Sequence, residues 1–258
     1  QVVQHPDGGV VEEIRVEEGD RVREGAVLAR LDRSLLNSDL AIVENNLWEL
    51  AARRGRLMAE QADAETITFD ADLLARAAED PEVAGVVQGQ VNLFEARRDT
   101  LRKAVEQLEA QQVQLGNQVE GIDAEMAALR RQQELIAAEK ATTESLLEPG
   151  LTQTSQVLAL QREEARLAGV LGNLTARRAQ ANEQIAELRI EELQLQTERR
   201  EAAITRLRDL QFNEMEMAER QRALLKQLER MEITAPVSGV VYDLRVFGRR
   251  SVIQPAEP

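Results

Sequence analysis

The chain has 258 residues, with 32 Lys+Arg against 46 Asp+Glu, a formal net charge of −14, and no cysteine. The carboxylate excess speaks against a nucleic-acid backbone or an anionic membrane surface as ligand, since both need clustered cations, and the missing thiols remove disulfides, Cys-type metal sites and thiolate nucleophiles. Aromatic residues are 2% and charged residues 30%, too polar for one compact core of this size, so a fibrous part is expected.

No stretch approaches the roughly 18 consecutive apolar residues of a membrane-spanning helix. With Gln at position 1, the chain reads as an excised soluble piece.

Residues 1–31 hold β-branched residues together with Gly8-Gly9, Glu18-Gly19-Asp20 and Glu24-Gly25, the pattern of short strands and turns. A first helix is expected over 33–61, where Leu36, Leu40, Val43, Leu47, Leu50 and Leu57 form an apolar stripe that includes Trp48. A connector follows at 62–85, with Thr66-Ile67-Thr68 and Asp80-Pro81 as breakers.

Residues 86–231 then read as one α-helical coiled-coil hairpin. Leu101, Leu108, Leu115, Ile122, Leu129 and Ile136 recur every seven residues, and Leu160, Leu167, Leu174, Ala181, Leu188, Leu195 and Ala202 repeat that spacing. Pro149-Gly150 between the two seams predicts a reversal with its tip at 147–154 and antiparallel arms. Folding about that point places residue i near residue 299 − i. Leu207, Leu210, Met217, Leu224, Leu228 and Met231 continue the second arm past the start of the first, so the early helix is their expected partner. The picture is a rod of two helices laid end to end against a third.

Residues 232–258 return to strand and turn composition. Gly9-Val10-Val11-Glu12-Glu13-Ile14-Arg15-Val16 aligns without a gap on Gly239-Val240-Val241-Tyr242-Asp243-Leu244-Arg245-Val246, and the same offset pairs Val22 with Val252 and Gly25-Ala26 with Pro255-Ala256. Such a repeat predicts half-buried strands over 11–16 and 241–246 and one β unit with pseudo-two-fold symmetry, split by the helical insert.

Gly9-Val10-Val11, Ile14, Val16, Gly19-Asp20, Val22, Gly25, Leu28 and Leu31-Asp32 resemble the first half of a lipoyl domain, and Ile233-Thr234-Ala235-Pro236, Gly239 and Val240 resemble its second half. Split by a long hairpin, this arrangement is similar to the HlyD-type periplasmic adaptors, or membrane fusion proteins, of type I secretion, the protease-export branch above all. Gln4-His5-Pro6-Asp7-Gly8-Gly9 and the tip Leu146-Leu147-Glu148-Pro149-Gly150-Leu151 carry that resemblance.

The fold class it implies is mainly α with a small β domain, the antiparallel hairpin being inserted into a split lipoyl-like unit. Gly9, Gly19, Asp20, Gly25, Pro236 and Gly239 mark the lipoyl-like turns. The function implied is that of a periplasmic adaptor bridging an inner-membrane ABC transporter and a TolC-type outer-membrane channel. Its copies would form a ring, commonly a hexamer, anchored to the inner membrane through a segment not read within these residues.

Leu147, Gly150, Leu151 and Thr154 are the channel-docking residues implied, although Thr143 stands where the family pattern has Arg. From the residues alone, Leu146, Leu147 and Leu151 either close the hairpin on one another or face a partner. A drug-efflux adaptor, or an unrelated coiled-coil scaffold, is the alternative.

No enzyme is expected. A lipoyl cofactor needs an attachment lysine, yet Lys103, Lys140 and Lys226 all lie in the helical insert. His5 is the sole histidine, expected in a turn or at the surface, and forms no metal cluster by itself. Glu163-Glu164 and Glu191-Glu192 lack a base or nucleophile beside them and read as solvated coiled-coil faces.

Overall fold

Buried Val11 between exposed Val10 and Glu12 lies in the first strand, β1 (Gly9–Ile14), in a computed structural model that describes residues 2–147, 149–246, 248 and 251–254. It is followed by β2 (Arg21–Val22), β3 (Val27–Leu31), α1 (Ser34–Ala62), α2 (Ala71–Glu79), α3 (Pro81–Leu147) and α4 (Thr154–Arg230). The chain ends with β4 (Glu232–Thr234), β5 (Gly239–Val240) and β6 (Val252–Ile253). The fold is mainly α with a small antiparallel β domain. The hairpin is an insertion into a split, lipoyl-like unit, because the strands on either side of it pair with each other.

One sheet has the order β4-β3-β1-β6 and the other β2-β5, all pairs antiparallel. Each half lends a short strand to the other: β2 pairs with β5 (Val22 with Gly239), and β6 with β1 (Val252 with Val10). Val11 and Leu31 are fully buried and pack with Met231 at the end of α4, flanked by Ile14, Leu36, Ile233 and Ile253.

The second half departs from the repeat. The expected strand over 241–246 does not form, since Asp243 takes a left-handed φ of 58° that breaks the extension after β5. The alignment of Gly25-Ala26 with Pro255-Ala256 falls outside the described residues.

His5 is buried rather than at the surface. Its Nδ1 accepts from the Asp7 amide at 3.3 Å, so Nε2 carries the proton and donates to the Arg230 carbonyl at 3.0 Å. Terminal helix carbonyls need such a donor.

By contacts the chain divides into two compact units, Gln1–Phe94 with Glu201–Pro258, and Glu95–Arg200. In the first, α1 lies antiparallel to the later part of α4. Leu57, Ala203 and Leu210 form its core with Leu50 and Leu207, Gln221 donates to Glu44 at 3.2 Å, and Arg54 reaches Glu214 at 2.8 Å.

The 62–85 connector is more structured than its breakers suggested. Asp80-Pro81 starts α3 instead of merely interrupting, because Asp80 Oδ1 accepts the Glu82 amide at 3.0 Å and proline's fixed φ suits a first helical position. Within that segment α2 buries Leu73 beside Ala52, Val83 and the half-buried Trp48. Phe69 and Ile67 press on Gly55 of α1, where an added Cβ would lie 2.8 Å from the Phe69 ring.

In the second unit α3 and α4 form the antiparallel hairpin. Ile122, Met126 and Leu174 make its core, while Lys140 pairs with Glu164 at 2.6 Å and Arg178 with Asp123 at 3.0 Å. These pairs sum to 304 and 301 (140 + 164; 178 + 123) instead of 299. Helix α3 stops at Leu147 and α4 starts at Thr154, so the symmetric point lies beyond Pro149-Gly150. Glu164 is thus a cross-helix partner, not a solvated charge.

The seam of α4 also shifts. Ala202 is exposed and Ala203 buried, because Leu195, Arg199, Ala203 and Leu207 step by four three times in succession. An extra four-residue step locally unwinds a heptad seam.

Asp32 joins β3 to α1: its Oδ1 accepts the Ser34 amide at 2.8 Å. Backbone and side-chain hydrogen bonds from Ser34 hold its pKa below the ordinary aspartate range. A depressed carboxyl stabilises the fold fully above that range and ceases to do so as pH falls through its folded value. Acid titration followed by circular dichroism is expected to show less destabilisation at low pH for Asp32→Asn than for the wild type. Superimposable titrations would show that Asp32 is not linked to folding.

Candidate functional site

The hairpin tip is built by helix-ending chemistry. Gly150 takes φ 73°, a left-handed value without penalty for glycine, and its amide donates to the Leu147 carbonyl at 3.0 Å. The Leu151 amide donates to Leu146 at 3.0 Å. This pair of bonds is the Schellman ending, which satisfies the last carbonyls of α3. Glu148 lies outside the described residues.

Of the implied docking residues, Leu147 is half-buried, Gly150 forms the turn, and Leu151 is 74% exposed. Thr154 is the first residue of α4 and exposed. Leu146 is 41% exposed, so the three leucines do not cover one another. Thr143, at the position where the family pattern has Arg, donates its hydroxyl to the Glu139 carbonyl at 2.8 Å. The Thr152 hydroxyl turns to the Gln156 side chain at 2.9 Å.

A further feature of the tip went unremarked in its residues. From Ser145 to Gln161 every exposed described residue is uncharged, and Leu158 joins the two exposed leucines. The signal was legible: between Glu144 and Arg162 only Glu148 is charged. Depletion of charge around exposed apolar side chains is the compositional mark of a protein interface.

The lipoyl-like turn residues serve a different purpose, holding the two ends of the chain together. The Gly19 amide donates to Val241 at 2.9 Å and the Gly25 amide to Ala235 at 2.8 Å, with φ of 96° and 80° respectively. Asp20 Oδ2 accepts the Glu17 amide at 2.8 Å, and the Asp20 carbonyl accepts from Val241 at 2.9 Å. Gly9 opens β1 so close to Leu31 that an added Cβ would meet its Cδ1 at 3.1 Å. Pro236 is exposed just ahead of Ser238, whose hydroxyl accepts the Glu24 amide at 2.9 Å, and Gly239 opens β5 opposite Val22.

Between the two β halves lies a cavity of about 760 Å³ lined by Ile14, Val16, Leu28, Ile233, Val241 and Val246 among others. The charged residues on its wall, Asp243 and Arg245, pair with each other at 3.0 Å. Among the described residues on its wall, His5 bonds Asp7 and Arg230 while Ser238 bonds Glu24. The chemistry available to the tip is apolar docking with hydroxyl and amide hydrogen bonds at its rim.

Proteins of known role share this sequence along its length. The type I secretion system membrane fusion protein PrsE of Rhizobium meliloti is 38% identical over 99% of this chain and 58% of its own length. The alkaline protease secretion protein AprE of Pseudomonas aeruginosa is 32% identical over 99% of this chain and 59% of its own. The chain therefore spans somewhat over half the length of these relatives.

Among solved structures, the soluble domain of LipC, a membrane fusion protein of a type I secretion system, has the same fold. Its TM-score is 0.94 at 24% identity, covering 98% of this chain and 95% of that one. The periplasmic adaptor protein EmrA matches at 0.50 with 17% identity, covering 100% of this chain and 69% of that one. The model of the AprE long α-helical hairpin matches residues 36–227, from α1 through nearly all of α4, and the chain belongs to that family.

Proposed function

We propose that this chain is the periplasmic lipoyl-plus-hairpin part of an HlyD-type adaptor of type I secretion, joining an inner-membrane ABC transporter to a TolC-type outer-membrane channel. Its role is mechanical and non-catalytic. The exported cargo is a protein, in keeping with the role of the relative AprE in alkaline protease secretion. A ring of copies, commonly six, encloses the conduit, held at the inner membrane by a segment outside these residues. The tip carries this reading. Leu151 and Leu146 stand exposed in an uncharged surface at a turn that its own backbone hydrogen bonds already stabilise, so their exposure serves contact and not closure.

These 258 residues hold no cysteine, so one introduced thiol is unambiguous once any cysteine outside them is replaced. Thr154→Cys in the full-length protein, treated in cells with a short thiol-to-amine cross-linker, is expected to give an adduct with the outer-membrane channel that disappears when the channel gene is deleted. An adduct only with cytoplasmic proteins, or none under conditions of active export, would sink the adaptor reading. The scaffold alternative predicts that loss of the protein leaves export intact, and the drug-efflux alternative predicts lost drug tolerance with protein export preserved.

A further inference from the structure

The charge depletion that marks the tip recurs on α1. The exposed residues from Ser34 through Asn46 are all uncharged, in a chain with 30% charged residues. Two of them are large and apolar, Leu35 at 73% and Ile42 at 61% exposure. They stand seven residues apart on the side of α1 turned away from α4, with Ser38 between them and Asn45 one step beyond. That is the spacing of a short coiled-coil seam. The two acids of this stretch, Asp39 and Glu44, are half-buried, and Glu44 is turned toward Gln221 of α4. Alongside, the exposed residues of α4 from Glu219 to Arg230 are mostly charged, as a water-facing helix should be.

We infer that this uncharged face of α1 is a contact between copies of the chain. The inference rests on the proposed ring assembly and names the surface that forms it. Copies carrying a net charge of −14 repel one another over most of their surface. An uncharged face is where a second copy approaches without opposing like charges. Its seam geometry selects a helix as the partner surface, the small Ser34, Ser38 and Ala41 let that surface come close, and the amides of Asn45 and Asn46 donate and accept alike. A lipid surface is a poor occupant, since two apolar side chains among amides and hydroxyls bury too little to hold a membrane and no Lys or Arg stands between Ser34 and Asn46 to draw anionic headgroups.

The test places the photo-reactive residue benzoylphenylalanine at Ile42 of the full-length protein. Irradiation is expected to give an adduct of twice the chain mass containing only peptides of this chain. Leu35→Glu should reduce that adduct at least tenfold, and Leu35→Ile should retain it. Leu35→Glu should leave the melting temperature unchanged, because Leu35 already faces water. It should also leave the Thr154→Cys adduct with the channel detectable, separating this face from the tip.

An adduct with a different protein would overturn the inference. So would copies that associate by light scattering while position 42 stays unlinked, a result that keeps the ring and moves its contact elsewhere. Full-length protein that stays monomeric by light scattering would remove the ring reading and this inference together.

Discussion

Replacing Leu151 with Asp is expected to abolish export by the full-length protein while changing the stability of the chain by no more than ~0.5 kcal/mol, the range of substitutions at exposed sites. Leu151 is 74% exposed, and the turn it follows is held by the Gly150 and Leu151 backbone amides, not by leucine packing. On a docked tip the new carboxylate loses its water without gaining a cation. An unpaired buried charge of this kind costs several kcal/mol, enough to weaken association by more than about a hundredfold.

Leu147→Asp is the less clean experiment. Leu147 is half-buried, so part of any loss would come from the hairpin itself. Export rate and thermal unfolding of Leu146→Asp and Leu151→Asp measured together decide the matter. Undiminished export in both would take the tip out of the docking surface, and a large fall in melting temperature would show the leucines to be closing the hairpin after all.

Arg56→Met is expected to cost about 1 to 3 kcal/mol, because it removes a buried guanidinium that bonds both Glu60 and Gln90. Arg56 and Glu60 are both buried, paired at 2.5 Å, and the Arg56 Nε donates to Gln90 of α3 at 2.7 Å. These bonds fix the end of α1 against the beginning of α3. The double variant Arg56→Met with Glu60→Leu should regain most of the loss, since a buried ion pair replaced by apolar side chains of similar volume is often neutral. Urea unfolding gives the free energies. A single-variant loss below about 1 kcal/mol would mean that water reaches the pair.

Most of the seam was legible in the residues. Leu101 through Ile136 and Leu160 through Leu195 are all buried or half-buried as their spacing required, and Leu50 and Leu57 meet Leu207 and Leu210 as the overhang of the second arm demanded. Heptad spacing succeeds because it is a local statement about one helix face. Register is not local. Whether residue 140 meets 159 or 164 depends on how many residues the turn consumes, and Leu151 to Gln153 had to be placed before that could be known. The exchange of Ala202 for Ala203 has the same origin, since a seam shifts only relative to the helix it packs on.

The tip illustrates the division from the other side. Pro149-Gly150 announced the reversal, and glycine's tolerance of positive φ made the turn certain from local chemistry. Whether Leu147 or Leu151 faced outward depended on the last turn of α3 and the path into α4. The Schellman bonds settled it by ending α3 at Leu147 and turning Leu151 into solvent.

Residue order by itself determined the three long helices, most of their seams, the split β unit and its glycine turns, because propensity, periodicity and glycine stereochemistry act over a few residues. Only the tertiary structure decided that His5 caps the end of α4, that Asp80-Pro81 begins a helix beside a buried α2, that Arg56 and Glu60 are buried partners, and that 241–246 does not extend β5. Each of these depends on which group arrives to accept a hydrogen bond, neutralise a charge or exclude water, and that is set by how the elements pack and not by the local residue pattern.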